Sequence, residues 1–198
     1  GSGALTILII GLVSIGVLIK QHQSTGLFKL FTLWLVYQGL TQSLPQLSDM
    51  VLNPNGDVGD ALGYLNVSQF FGVGLAYLSF IAVIVLGIML TRPLLELAPS
   101  AASVDTPGKR TKFVLQIGTL ASVLGFMLIV PFRLPPLQQV QGPMLITLFP
   151  LLWILTNAWR TKNVQVIGSV ANDRIAWIPI GALLALLAIF QLLLAPGV

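Results

Sequence analysis

The chain has no cysteine, a single histidine and very few charged side chains: 8% of its 198 residues are Asp, Glu, Lys or Arg. Without cysteine it can form neither a disulfide framework nor a thiolate metal site. An ordinary soluble domain carries roughly 25% charged residues. Because 56% of this chain is hydrophobic, water would meet extended apolar patches, and the composition therefore predicts that lipid covers the surface.

The formal net charge is +4, from ten Lys and Arg against six Asp and Glu. A dense basic cluster would suggest nucleic acid, but here the basic residues occur in ones, twos and threes between apolar stretches. That distribution is typical of membrane topology signals. The predicted partner is therefore a lipid bilayer, and no nucleic-acid partner is expected.

Uncharged stretches near 20 residues match the roughly 30 Å hydrocarbon core of a bilayer when they are helical. The sequence contains six, at residues 4–19, 30–47, 62–90, 113–131, 143–158 and 175–196. They predict an all-α polytopic transmembrane bundle of about six spans, with residues 4–198 forming one domain. Residues 1–3, Gly-Ser-Gly, are interpreted as a cloning remnant or as the point where a longer chain was cut.

The basic residues predict the orientation of this bundle. Arg133 lies on one side, and the other nine flank the first, third and fifth connections: Lys20, Lys29, Arg92, Lys109, Arg110, Lys112, Arg160, Lys162 and Arg174. By the positive-inside rule these connections are cytoplasmic, which places both termini on the non-cytoplasmic side, with a bacterial cytoplasmic membrane as the expected location. The third connection is expected to hold a brief interfacial helix followed by a flexible linker.

The second span carries the most polar face. Trp34, Gln38, Thr41 and Gln42 fall on one side of a helix. A polar stripe avoids lipid, and the favoured interpretation is packing through interhelical hydrogen bonds. The alternative is that these residues line a cavity for a small molecule or water.

Small residues recur at four-residue spacing in two other spans. They are Ser68, Gly72 and Ala76 in the third span and Gly118 and Ser122 in the fourth. Small side chains let two helix backbones approach closely. Packing within the bundle is the default interpretation, and self-association or docking to another membrane subunit is the functional alternative.

The sequence contains no recognisable catalytic motif. The one histidine, His22, has no His, Cys or carboxylate near it in the sequence, and none of the six stretches contains the ionisable residue that marks a proton relay or ion pathway. Asp49, Asp57 and Asp60 offer oxygen ligands around one turn, but the EF-hand pattern is not met, so a solvated turn is favoured. No metal site and no cofactor are predicted.

Three segments in order, LFKLFTLWL (27–35), GDALGYL (59–65) and TRP (91–93), resemble the C-terminal membrane region of some bacterial proteins related to site-2 metalloproteases. The resemblance covers residues 4–95. That family carries a His-Glu-x-x-His zinc motif and a later Asp ligand, and neither is present here, so no catalytic residue carries over. The resemblance implies a companion half or an inactive relative of such a protease.

These observations favour a non-catalytic integral membrane subunit or scaffold that packs against other membrane helices. One alternative is the C-terminal part, or an inactive relative, of a site-2-protease-like metalloprotease. Another is a transporter of small molecules or lipids that uses the polar face of the second span. Whether the complete protein is an enzyme stays open at this level.

Overall fold

The computed structural model describes residues 2–21, 26–47, 57–129 and 138–167, together with five positions between 181 and 189. Within these residues the chain is helical and contains no strand. In chain order the helices are α1 (Ser2–Lys20), α2 (Leu27–Ser43), α3 (Asp57–Tyr64), α4 (Gln69–Leu95), α5 (Pro107–Val114), α6 (Ala121–Ile129) and α7 (Gln138–Arg160). A 3-10 turn, Ala101–Ser103, precedes α5, and a π-helical segment, Leu115–Leu120, joins α5 to α6. The predicted all-α fold class is confirmed.

The helices follow the predicted apolar stretches, but the number of membrane crossings stays a prediction. In the described part of the chain, α4 is long and apolar enough to cross a membrane, whereas the apolar segments Leu5–Lys20 and Leu145–Arg160 are shorter. Most of the sixth stretch, 175–196, lies outside the described residues. Its described positions are all helical: Gly181, Leu184, Ala185, Ala188 and Ile189.

The third predicted span is divided into two helices. Helix α3 ends at Tyr64, and the chain then turns through Asn66, whose φ of 51° lies in the left-handed region that asparagine tolerates. Helix α4 begins only after Ser68, whose hydroxyl accepts a hydrogen bond from the Phe71 backbone N–H at 3.3 Å. A serine N-cap satisfies one of the unpaired donors of a helix start. A new helix therefore begins at this cap, inside the continuous apolar stretch 62–90.

The third connection contributes to the core mainly in its first half, and the flexibility of its second half stays a prediction. Helix α4 continues through Pro93 to Leu95, and Leu95, Leu97, Ala98 and Val104 are almost completely buried. The backbone N–H groups of residues 97 and 98 donate to carbonyls three residues earlier, which satisfies the end of the helix. The apolar side chains of this connection therefore belong to the core.

The fourth predicted span begins earlier than its uncharged stretch. Thr106 caps α5 by accepting from the Lys109 backbone N–H at 3.4 Å, and Pro107 occupies the first turn, where its missing N–H costs no hydrogen bond. The chain is then helical without a break from Pro107 to Ile129. As a result, the basic residues Lys109, Arg110 and Lys112 lie inside the helix rather than before it.

The hydrophobic core lies between α2, α4, α5 and α7. The core combines Leu33, Val36 and Leu40 of α2 with four leucines of α4. The latter are Leu86, Leu90, Leu94 and Leu95, and the remaining members come from the third connection, α5 and α7: Leu97, Ala98, Val104, Phe113, Val114, Leu151, Ile154 and Ala158. Tyr37 is also buried there. Helix α1 lies outside this core and packs along α2.

Two helix pairs touch at their backbones through glycine. A Cβ added at Gly39 of α2 would lie 2.6 Å from the Cα of Gly11 in α1, and a Cβ at Gly87 of α4 would lie 2.9 Å from the carbonyl oxygen of Pro150 in α7. Only glycine permits these distances, because any side chain would collide with backbone that cannot rotate away. The crossings of α1 with α2 and of α4 with α7 therefore depend on these glycines.

Replacing Gly39 with alanine should destabilise the fold, because the new methyl group must push α1 away from α2. Overpacking of this kind costs about 1–3 kcal/mol. Gly16→Ala is the matched control: Gly16 has no atom within 4 Å of its Cβ position, and alanine favours a helix over glycine by about 1 kcal/mol. The free energy of unfolding of the two variants measures the difference, and equal stabilities would contradict the close crossing.

Candidate functional site

The polar residues of α2 are used mainly in contacts with α7 and with α2 itself. Gln42 donates from Nε2 to the Thr147 hydroxyl at 2.6 Å, and the Tyr37 hydroxyl donates to the Thr147 carbonyl. Thr41 is completely buried and donates to the carbonyl of Tyr37 at 2.8 Å. We call Tyr37, Gln42 and Thr147 the α2–α7 junction; it links residues more than one hundred positions apart in the sequence.

Trp34 packs against Tyr37 of this junction and borders a small void. Its ring meets that of Tyr37 edge-on, with centroids 5.4 Å apart and planes at 82°. The void has a volume of about 30 Å³, and Gly118 of the π-helical segment and aliphatic side chains complete its lining. A space of this size holds about one water molecule, and apolar walls give that water no partner. Gln38 is half-buried and is not among the lining residues, so this void is not lined by all four predicted residues.

The predicted small residues divide between a cap and the interior. Ser68 is the exposed N-cap of α4, Gly72 is buried and Ala76 is half-buried. Gly118 faces α7, where a Cβ would lie 3.0 Å from the Cδ2 of Leu151. Ser122 is buried, and its hydroxyl has no hydrogen-bond partner among the described residues.

Close helix contacts also occur at glycines outside that set. Gly39 with Ser43 and Gly87 with Thr91 have the same four-residue spacing of small residues, and both pairs lie on buried helix faces. The spacing was therefore a signal for these contacts as well. It could not rank them above Ser68 and Gly72, because many small residues recur at this spacing in an apolar sequence.

A buried ion pair joins the start of α2 to the end of α4. Lys29 is only 2% exposed, and its Nζ lies 3.4 Å from Oε2 of Glu96, the single glutamate of the chain. Arg92 approaches the other carboxylate oxygen at 3.6 Å but is 65% exposed. The Glu96 carbonyl also accepts from the backbone N–H of Ile167 at 3.1 Å. Glu96 thus connects three segments of the chain.

The same end of the bundle gathers the described basic residues. We call it the basic end, defined by Lys20, Lys29, Arg92, Lys109, Arg110, Lys112, Arg160 and Lys162. Arg110 is buried there; its Nη1 donates to the Val104 carbonyl at 3.4 Å, while its Nε has no partner in the described part of the chain. Positive charge therefore exceeds negative charge at this end, even after the pair with Glu96 is counted.

One exposed ion pair at the basic end responds to pH. Lys109 donates to Asp105 at 3.0 Å, and this hydrogen bond holds the pKa of the Asp105 carboxyl below its usual range. Because the folded-state pKa is lowered, the stabilisation is present at neutral pH and is lost as the pH falls through that lowered value. Both side chains are about half exposed, so solvent screening keeps the contribution small.

The acidic turn is described only in part. Asp49 and His22 lie outside the described residues, Asp57 begins α3, and Asp60 is exposed within it. Across the described ranges, no group of three or more His, Cys, Asp or Glu side chains comes together as metal ligands would. The solvated turn stays a prediction.

Comparison of the chain with models of known protein families, with curated proteins and with solved structures finds no match. The resemblance to site-2 metalloproteases therefore gains no support from known proteins and stays a prediction. The contacts described above carry the functional argument.

Removing the Glu96 carboxylate should strongly destabilise the fold. Glu96→Gln would leave Lys29 buried without a counter-charge, and breaking a buried pair in this way costs about 3–5 kcal/mol. Arg92→Gln removes the exposed partner of the same carboxylate and should cost at most about 1 kcal/mol. Unfolding free energies of both variants test this expectation.

A double variant separates the ion pair from simple loss of packing. Lys29→Met together with Glu96→Gln should cost less than the sum of the two single changes, because no buried charge is left without a partner. Additive costs would show that Lys29 and Glu96 do not interact.

Proposed function

We propose that this chain is a non-catalytic subunit or scaffold of a membrane complex, embedded in the bilayer as a bundle of six transmembrane helices. The observation that carries the proposal is the burial pattern of α4. Its buried face combines small and hydroxyl residues, such as Ser79, Gly87 and Thr91, with leucines of the core, and its outward face also carries large apolar residues.

The outward face of α4 is unsuited to water. Phe70 is 91% exposed, and eight further large apolar residues of the helix are exposed with it: Phe71, Tyr77, Leu78, Phe80, Ile81, Val85, Ile88 and Met89. A surface helix of a soluble protein has charged and polar residues on its outer face. A contiguous apolar surface of this kind indicates lipid or another protein as its normal neighbour.

The hydroxyl groups inside the bundle support the same conclusion. Several donate to the carbonyl four residues earlier in their own helix, namely Thr32, Thr41, Ser43 and Thr91. This local bond satisfies the hydroxyl without water. A helix that crosses hydrocarbon needs all of its polar groups to be satisfied internally in this way.

The basic end supports the expected orientation. The described cations of the first, third and fifth connections all lie at this end, where Lys29 meets Glu96 and where Thr111 and Arg160 border one groove. Positive charge concentrated at one end favours placing that end on the cytoplasmic side. Helices α1, α2, α4, α5–α6 and α7 would then be five of the six spans, and residues 175–196 would supply the sixth.

The contacts favour a packing role over transport. Thr41 and Gln42 are engaged within the bundle, and the void beside Trp34 is too small for a solute larger than water. On the outer surface, Gly16 of α1 and Gly74 of α4 are exposed and have no atom within 4 Å of their Cβ positions. Exposed glycines on apolar faces permit the close approach of another membrane helix.

Single-cysteine labelling tests the membrane topology, because the chain contains no cysteine of its own. Gly63 and Gly108 are exposed and have open space at Cβ, so Gly63→Cys and Gly108→Cys should fold normally. In intact cells a membrane-impermeant maleimide should label position 63, and position 108 should react only after permeabilisation. Labelling of both from the same side would contradict six spans.

Ile81→Cys provides the matched test of lipid contact. Ile81 is 55% exposed in the structure, so water around the bundle would allow a cysteine there to react as readily as one at position 108. Lipid around the bundle should keep it unlabelled in both intact and permeabilised cells. Efficient labelling of position 81 in the native membrane would refute the embedded bundle.

The particle mass in mild detergent tests the role as a subunit. Because the chain alone has a mass of 21.2 kDa, light scattering should find a protein mass of at least twice this value, or a co-purifying membrane subunit. Replacing Gly16 and Gly74 together with leucine should reduce this association, while Gly108→Leu should not. A monodisperse monomer without a companion would contradict the proposal.

A further inference from the structure

Two grooves border the last turns of α7 at the basic end. The first has a volume of about 180 Å³, lies between α4 and α7, and is lined by Ile88, Trp153, Thr156, Asn157 and Arg160. The second has a volume of about 350 Å³, lies between α5 and α7, and is lined by Thr111, Leu155, Thr156, Trp159 and Arg160. Thr156 and Arg160 border both, so they form a ridge with a groove on each side.

The ridge combines one available cation with apolar walls. Arg160 is exposed and makes no ion pair with any described residue, whereas Lys29, Arg92 and Lys109 all pair with carboxylates. A guanidinium offers several N–H donors in a planar fork that matches a phosphate group. Among the described residues, no carboxylate lines either groove.

The exposed residues beside the ridge change from apolar to amphipathic to cationic along α7, as a bilayer changes from acyl chains to headgroups. Trp159, next to Arg160, is 59% exposed, and amphipathic indole rings favour the headgroup region. One turn before Thr156, Leu152 is also exposed, so the outer face of α7 changes from apolar to cationic toward its end. This order follows that of a phospholipid, from its acyl chains to its phosphate.

We propose that Arg160 and the two grooves beside it bind one anionic phospholipid of the cytoplasmic leaflet. The phosphate lies on the Arg160 guanidinium, and the two acyl chains descend along the grooves on either side of the ridge. This inference rests on the proposed membrane function and names one of its partners. The cytoplasmic leaflet is the one that carries anionic lipids, and the basic end faces it in the orientation proposed above.

Native mass spectrometry of the purified full chain, titrated with phosphatidylglycerol or phosphatidylcholine, tests this site. The wild type should bind one phosphatidylglycerol with roughly five-fold higher affinity than phosphatidylcholine, the preference expected for one cation at a membrane surface. Arg160→Gln should abolish the preference. Lys162→Gln, which removes an exposed cation two residues away, should leave it unchanged.

A second variant tests the grooves without changing the charge. Thr156→Trp places a large ring on the ridge and should lower the affinity for both lipids at least several-fold, while Arg160 keeps its charge. Inorganic phosphate at millimolar concentration should not compete with the lipid. Competition by phosphate, an unaffected Thr156→Trp variant, or equal losses in Arg160→Gln and Lys162→Gln would each overturn the lipid site.

The labelling of positions 63, 81 and 108 keeps the two proposals separable. If those cysteines report a membrane-embedded bundle and the wild type still shows no preference for phosphatidylglycerol, the lipid site is wrong and the membrane function stands. If position 81 is labelled in the native membrane, the membrane function itself fails.

Discussion

Direct backbone contact between helices is the constraint on which the other contacts depend. Gly39 brings α2 against α1, and Gly87 brings α4 against α7. Helix axes usually lie 8–10 Å apart, with the distance set by the side chains at the crossing, and glycine places these pairs at the short end of that range. A wider separation of α4 from α7 would open the core that both share with α2, and the short reach from Gln42 to Thr147 would be lost.

The helices could be predicted from the sequence because apolar runs of helical length are a strong signal. Their ends could not, because they depend on single residues with local hydrogen bonds. Ser68 and Thr106 start helices by accepting backbone N–H groups, and both were hidden by the smoother pattern of hydrophobicity. The burial of the third connection was missed for another reason: its first half was interpreted as an interfacial helix, and its leucines contact the core only through the tertiary fold.

For each contact of the candidate site, the sequence predicted one of the two residues but not its partner. The periodicity of α2 places Thr41 and Gln42 on a shared face, but the partner of Gln42 is a threonine 105 residues later. Lys29 was predicted only to flank the first connection, whereas its carboxylate partner is 67 residues away. No local pattern encodes such distances, since they follow from how the helices cross. The grooves beside Arg160 were missed because they form between three helices that the sequence does not arrange.

Glu96 holds its neighbours by two different means, and the two are independent. Its carboxylate holds α2 through charge, whereas its main-chain oxygen holds residues 161–167 through the N–H of Ile167. Every amino acid supplies that oxygen, so an exchange of the side chain leaves the second attachment chemically intact. Substitutions at position 96 can therefore change the strength of the contact with α2 while the backbone hydrogen bond to the segment after α7 is kept.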